Sequence, residues 1–173
     1  SIDNNKVPIV MLASRMLWDK GIAEFVEVAK RAHTKNINAK FILVGDVDIE
    51  NPMSIPESII KKWVNENNII WKGHCKNMPE TLSSASIICL PSYREGLPKV
   101  LLEAAAIGRP LVATNVPGCR EIVSNGYNGI LVNLKDIDSL YNAIISLISN
   151  SEIRKKMGNN SRKLVEKEFS SDI

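Results

Sequence analysis

Two glutamates stand on either side of a helix start in the segment YREGLPKVLLEAAAIGRP, residues 93–110. Proline suits the first turn of a helix and glycine commonly follows the last turn, so the segment predicts a helix from Pro98 to Gly108. Its apolar residues lie on every side, which predicts burial all round. Glu103, inside this helix, and Glu95, just before it, therefore need partners, because an unpartnered buried carboxylate is strongly unfavourable.

The start of this helix is suited to binding an anion. The first turn leaves backbone N–H groups free at the positive end of the helix dipole. Gly96, Leu97 and Lys99 can direct N–H groups there, and Gly96 allows a ligand to approach the backbone closely. Arg15 and Lys20 can add charge-assisted hydrogen bonds, each contributing roughly 1.5–3 kcal/mol. A diphosphate matches this set of donors.

The two glutamates extend this prediction in opposite directions from the diphosphate. Glu103 lies about 7.5 Å along the helix from its start, at about 1.5 Å per residue. At that place it can accept hydrogen bonds from a ribose, as acidic residues do in other nucleotide-binding folds. Glu95, on the preceding loop, can reach a group on the far side of the diphosphate. The pattern indicates a nucleoside, a diphosphate and then a hydroxyl-rich group.

The elements that must position these residues alternate between short apolar segments and amphipathic ones. We predict strands at 7–13, 40–45, 69–71, 86–91, 110–114 and 129–132. We predict helices from residue 22, at 56–66, 78–84, 98–108, 119–123 and 137–148, and at 152–168. This alternation is typical of an α/β, Rossmann-like, doubly wound parallel sheet with helices on both faces. We expect a single domain over residues 1–173.

Ligands of such sheets bind beyond the carboxyl ends of the strands. The loops to inspect are therefore 14–21, 45–55, 72–78, 91–98 and 115–120, and the basic pair and the acidic pair should converge on this edge. Gly45 and His74 lie in the second and third of these loops.

Bulk properties exclude several classes of protein. The net charge of +3 over 173 residues gives little support to nucleic-acid binding. No apolar run is long enough to span a membrane. Two histidines without ligand spacing make zinc improbable. Three cysteines without a C-x-x-C pattern indicate reduced thiols in a cytosolic protein, and these are Cys75, Cys89 and Cys119.

Several segments together resemble a known family. SYREGLPKVLLEAAAIGRPLVAT (92–114) is similar to the C-terminal half of GT-B retaining glycosyltransferases of the family 4 type, whose signature is two glutamates separated by seven residues. SRMLWDKG (14–21) resembles the Arg-x-x-x-x-Lys-Gly segment of that family. WKGH (71–74), PGCREIV (117–123) and NGYNGILV (125–132) follow in the family's order. The resemblance covers about residues 7 to 168.

The resemblance implies a role for each site residue. Arg15 and Lys20 would bind the donor diphosphate, and Glu95 would contact the transferred sugar. The N–H groups of Gly96 and Leu97 would lie near that sugar. Glu103 would hold the ribose hydroxyls. Two further residues would line the donor site: His74 would lie beside the base, and Gly45 follows the second strand. The family often has another glycine where this chain has Val47, which leaves less room for a ligand in that loop.

The resemblance also implies an activity and its partners. The family transfers a sugar with retention from a nucleoside-diphosphate sugar, here by family frequency a UDP-sugar, to a glycan or lipid-linked acceptor. It uses no bound metal and no other cofactor. An N-terminal acceptor domain would precede this chain, so we expect the 173 residues alone to be inactive. We expect a cytoplasmic enzyme, and we leave open a peripheral contact at the inner face of the membrane.

Other interpretations remain open from the residues alone. Glu103 could form a core ion pair with Arg109 or Arg120, since buried acids are usually paired. Asp46 and Asp48 form a D-x-D pattern that binds a metal in another transferase architecture, although such residues also form turns. The chain could instead be half of a nucleotide-sugar epimerase or a non-catalytic nucleotide-sugar binding module. A dinucleotide oxidoreductase is excluded because no G-x-G occurs.

Overall fold

The computed structural model describes residues 6–169. Within them, six strands form one parallel sheet in the order β3-β2-β1-β4-β5-β6. The strands are β1 (Ile9–Ala13), β2 (Lys40–Val44), β3 (Ile69–Trp71), β4 (Ile87–Leu90), β5 (Leu111–Thr114) and β6 (Gly129–Val132). This is the strand order of the dinucleotide-binding Rossmann fold, so the predicted fold class is confirmed.

Seven α-helices connect and follow these strands within the described residues. They are α1 (Ile22–Thr34), α2 (Glu57–Asn67), α3 (Met78–Ser83), α4 (Lys99–Ala106), α5 (Pro117–Arg120), α6 (Ile137–Ile148) and α7 (Ser151–Glu168), and a short 3-10 turn (Trp18–Lys20) precedes α1. No helix within residues 6–169 is both long and apolar enough to cross a membrane.

Helices cover both faces of the sheet. Successive residues of β1 point to opposite faces, so Leu12 belongs to the same buried cluster as Phe25 of α1, and Met11 belongs to the cluster that contains Leu101 of α4. All four residues are fully buried. Burial of each such side chain stabilises the fold by about 1.5–3 kcal/mol. Because both faces are covered, the strands read as continuous apolar runs.

The helix at the predicted site differs in detail from its sequence prediction. Pro98 has extended backbone angles and precedes the first helical residue, Lys99. The helix ends at Ala106, and Gly108 follows with a φ of 81°. The prediction of burial all round is wrong, because Lys99 is exposed and Glu103 is only partly covered. One side of α4 is therefore accessible to solvent.

Candidate functional site

The centre of the sheet provides the position for a site. β1 and β4 are neighbours, with Val10 opposite Ile87, yet the chain runs outward from β1 through β2 and β3 and only then returns to β4. At such a switch point the loops diverge and leave a crevice beyond the strand ends. The loops that follow these two strands are 14–21 and 91–98, which hold Lys20 and Glu95.

Backbone contacts lock these two loops together. The N–H group of Tyr93 donates a hydrogen bond to the carbonyl of Asp19 at 2.9 Å. Gly21 has a φ of 74°, and a Cβ at this position would lie 2.1 Å from the carbonyl oxygen of Pro91. Any side chain at Gly21 would therefore push the loops apart. The sequence indicates Gly21 only as part of the family's Arg-x-x-x-x-Lys-Gly segment.

Lys20 and Glu95 form a direct ion pair at this junction. The Lys20 Nζ lies 2.6 Å from Glu95 Oε2, and the two side chains are 22% and 10% exposed. Ser92 Oγ donates to the same carboxylate oxygen at 2.7 Å. Ser92 is fully buried, and its carbonyl accepts a hydrogen bond from the Thr114 hydroxyl. The structure thus brings the predicted acid, Glu95, and the predicted basic residue, Lys20, into direct contact. The Glu95 carboxylate is largely covered and accepts hydrogen bonds from both Lys20 and Ser92.

The backbone after Glu95 lies directly on the start of α5. A Cβ on Gly118 would lie 1.7 Å from the Gly96 carbonyl oxygen and 2.4 Å from that of Glu95. The space beside Gly96 itself is open, since a Cβ there would meet nothing within 4 Å. Gly118 was missed as a site residue in the sequence analysis. The family segment PGCREIV was the signal that could have identified it.

The predicted N–H donors belong to exposed residues beside this open space. Gly96 and Leu97 are exposed, and no side chain caps the start of α4. Cys119, beneath them in α5, is fully buried. Burial and the nearby Glu95 carboxylate raise the pKa of the Cys119 thiol to about 12. Cys119 therefore remains a neutral thiol. It does not compete with Glu95 or with a bound anion for the positive charge of Lys20.

Glu103 lies on the open side of α4 and has one unused acceptor. Its Oε1 is 3.9 Å from Lys99 Nζ, whereas its Oε2 is buried without a hydrogen-bond partner. Arg109 donates instead to the carbonyl of Ser83 and Arg120 to that of Asn115. The alternative of a core ion pair between Glu103 and either arginine is therefore wrong. A buried carboxylate oxygen of this kind needs a donor that the described residues do not supply.

Arg15 pairs with a different carboxylate from the one that Lys20 contacts. Its Nη1 is 2.9 Å from Asp48 Oδ2, with the arginine 60% exposed, so the structure gives Arg15 and Lys20 different partners. An exposed pair of this kind contributes only about 0–1 kcal/mol. It can therefore be exchanged for a phosphate at little cost.

The ends of β2 and β3 meet at Gly45. Its N–H group donates to the Gly73 carbonyl at 2.7 Å, and its own carbonyl accepts from Trp71 Nε1 at 2.8 Å. Gly45 therefore joins two strand ends, which is a structural role beside the predicted binding role. His74 follows in the same loop, with Nδ1 3.6 Å from Asp46 Oδ2.

The two aspartates of the D-x-D pattern have separate partners. Asp46 lies next to His74, while Asp48 pairs with Arg15. No group of three or more metal-ligating side chains occurs within residues 6–169. The two carboxylates thus link the loop after β2 to the loops after β3 and β1.

The fold and this site define an α/β protein of the Rossmann type, whose switch point presents an open helix start, a basic group and two carboxylates. The chain belongs to the family described as glycosyl transferases group 1, which matches residues 2–164.

Individual relatives agree with this membership. The chain is 34% identical over 160 residues to the N,N'-diacetylbacillosaminyl-diphospho-undecaprenol alpha-1,3-N-acetylgalactosaminyltransferase of Campylobacter jejuni, covering 92% of this chain and 40% of that protein. It is 31% identical to the capsular polysaccharide biosynthesis glycosyltransferase CapM of Staphylococcus aureus, covering 99% of this chain and 48% of that protein. The chain thus spans less than half the length of these relatives.

A solved structure shows the same fold. A Staphylococcus aureus TarM mutant, crystallised with fondaparinux, alpha-GlcNAc-glycerol and UDP, superimposes with a TM-score of 0.85 at 23% identity, over 96% of this chain and 33% of that one.

Proposed function

We propose that this chain is the donor-binding half of a retaining GT-B glycosyltransferase and holds a UDP-sugar beyond β1 and β4. The observation that carries the proposal is the Lys20–Glu95 pair beside the open start of α4. The pair offers a cation to a diphosphate and a carboxylate to sugar hydroxyls at one place. The UDP in the TarM structure supports the choice of nucleotide.

The proposed roles follow the geometry. Lys20 and Arg15 bind the diphosphate, and the N–H groups of Gly96 and Leu97 contact the phosphate and sugar beside it. Glu95 accepts hydrogen bonds from the transferred sugar, and Glu103 accepts them from the ribose through its unpartnered Oε2. His74 and Gly45 border the base end of the site.

In this proposal no metal or other cofactor takes part. Negative charge grows on the diphosphate as its bond to the sugar breaks, and fixed positive groups stabilise it there. Lys20, Arg15 and the dipole of α4 provide such groups. The alternative, a divalent ion at Asp46 and Asp48, would have to displace His74 and Arg15 from these carboxylates.

The rest of the reaction needs a second domain that forms the other side of the active-site cleft. A cleft that closes between two domains excludes water and aligns donor with acceptor. We propose that an N-terminal acceptor domain of the parent protein is this second domain and that the acceptor is a glycan or lipid-linked saccharide, as the name of the Campylobacter relative indicates for that protein. The proposed location is the cytoplasm, with the parent protein at the inner face of the membrane.

A titration of this chain with nucleotides tests the proposal. In EDTA, UDP should bind more tightly than GDP or ADP and raise the melting temperature by mass action. Arg15→Ala should weaken UDP by roughly 1.5–3 kcal/mol, the range for hydrogen bonds to charged groups, without affecting uridine. Arg162→Ala is the matched control, since Arg162 is exposed to a similar degree and pairs with Glu166 on α7.

Three results would count against this proposal. Absence of heat with all three nucleotides would refute donor binding. Loss of binding in EDTA that manganese restores would favour the metal alternative. Binding by the chain without transfer by the full-length parent would favour a non-catalytic module; the epimerase alternative is not favoured, because the relatives are glycosyltransferases.

A further inference from the structure

A second pair of polar side chains lies at the switch point and has no role in the donor contacts described above. The Tyr93 hydroxyl donates a hydrogen bond to Glu24 Oε2 at 2.5 Å, across 69 residues of sequence. Glu24 belongs to the first turn of α1, and Tyr93 to the loop after β4. The other carboxylate oxygen, Glu24 Oε1, is buried without a hydrogen-bond partner.

Tyr93 is held from three sides. Its N–H group bonds the carbonyl of Asp19, its hydroxyl bonds Glu24, and Lys135 Nζ lies 4.7 Å from the centre of its ring. Burial and the adjacent Glu24 carboxylate raise the pKa of Tyr93, so the phenol keeps its proton and remains a donor. These contacts join α1, the 3-10 turn and the loop after β6 to one residue.

Tyr93 is close enough in sequence to transmit its position to Glu95. The preceding residue, Ser92, donates directly to the Glu95 carboxylate, and Glu95 itself follows two residues later. Lys20, which pairs with Glu95, adjoins the Asp19 carbonyl that accepts from Tyr93. A shift of Tyr93 would therefore move both partners of the ion pair.

The energetics do not favour Glu24 as a simple stabilising residue. A buried carboxylate oxygen without a donor is a cost to folding, and apolar residues of similar volume often replace such polar pairs without loss of stability. Neighbouring α1 positions such as Phe25 and Val26 are apolar and buried. The Tyr93–Glu24 pair thus fixes the position of the loop after β4 rather than adding to the stability of the fold.

We propose that Glu24 and Tyr93 are positioning residues, which fix the loop after β4 against α1 so that Glu95 stays on Lys20 and faces the transferred sugar. The sugar contact rests on the proposed function, whereas the fixed loop does not.

Amide hydrogen exchange and ligand titration on this chain test the proposal. The variants are Tyr93→Phe, Glu24→Gln and the apolar double variant Tyr93→Phe with Glu24→Leu. Tyr127→Phe and Glu27→Gln are matched controls, because Tyr127 is half-exposed near β6 and Glu27 is exposed on α1. The ligands are UDP and UDP-N-acetylgalactosamine.

Each variant should exchange the amides of residues 92–97 about fivefold faster than the wild type, with α6 and β1 unchanged. The double variant should keep or exceed the wild-type melting temperature. Affinity for UDP-N-acetylgalactosamine should fall about fivefold, and affinity for UDP should fall by a smaller factor, because Glu95 contacts only the sugar whereas Lys20 contacts the phosphate. Both controls should match the wild type.

Unchanged exchange at 92–97, or a uniform increase over the whole chain, would overturn the proposal. So would a loosened loop with undiminished affinity for the UDP-sugar. A wild-type chain that binds neither ligand would refute the proposed function instead, and the exchange data alone would then decide whether the pair positions the loop.

Discussion

At the scale of single residues, the site depends on which acceptors and spaces the protein itself leaves open. Glu103 is the clearest case, because one of its oxygens is paired at long range with Lys99 and the other has no partner. A ligand hydroxyl that donates to this oxygen displaces no hydrogen bond within the protein, so only its own hydrogen bond to water is lost in exchange.

Replacing Glu103 by alanine should weaken UDP binding about tenfold or more, because a hydrogen bond to a charged group contributes roughly 1.5–3 kcal/mol. Calorimetric titration measures the change. Glu66→Ala is the matched control, since Lys62 and Glu66 have the same spacing and a similar separation, 4.0 Å, on a helix away from the site. Equal losses in both variants, or none in either, would contradict the ribose role.

The two glycines beside Glu95 should respond oppositely to alanine. Gly96→Ala should leave the melting temperature unchanged, because its Cβ meets open space, yet it should weaken UDP about tenfold by filling that space. Gly118→Ala should destabilise the fold by about 1–3 kcal/mol, as overpacking does. Thermal unfolding and titration separate the two effects, and a destabilised Gly96 variant would show that the space is not open.

At the scale of elements, the helix that follows β6 gives a test of electrostatics outside the site. Asp136 caps α6, accepting from the backbone N–H and the hydroxyl of Ser139. These hydrogen bonds lower the pKa of Asp136 below its ordinary value of 3.8. The stabilisation is therefore fully present above the unfolded pKa and is lost as pH falls through the folded one.

Asp136→Asn retains a capping oxygen but not the charge that favours a helix N-terminus. At pH 6 the wild type should melt at a higher temperature than this variant. The difference should shrink as pH falls through the folded pKa, which lies below 3.8, and approach zero once both caps are neutral. Melting curves between these conditions check the sign, and a difference that grows on acidification would disprove it.

The elements also show how much of the structure can be predicted from sequence patterns. Apolar runs and their alternation with helices predicted all six strands and the edge that carries the site, because buried parallel strands have a distinct composition. The pairing of Lys20 with Glu95 follows from the adjacency of β1 and β4, which are far apart in the chain. Gly118 and the Tyr93–Glu24 bond were missed because close backbone approach and long-range hydrogen bonds leave no local periodicity.

At the scale of the whole molecule, this chain spans less than half of its relatives' length. If it provides only the donor-binding side of the active-site cleft, it should bind a UDP-sugar but transfer none of the sugar. The full-length parent should transfer the sugar to its acceptor, and Glu95→Ala should abolish that transfer. A radiolabelled-sugar transfer assay on both proteins tests this prediction. Robust transfer by the 173 residues alone would contradict the proposal that transfer needs both domains.

The ion pairs at the carboxyl edge have a consequence for the speed of binding. Lys20 and Arg15 are both neutralised by carboxylates of the chain itself, Glu95 and Asp48, so the edge projects little long-range field toward an approaching dianion. Diffusional encounter with a nucleotide should then be scarcely steered and only weakly dependent on ionic strength. Selectivity among nucleotides would arise after contact, as Arg15 exchanges Asp48 for a phosphate, and would be expressed in residence time.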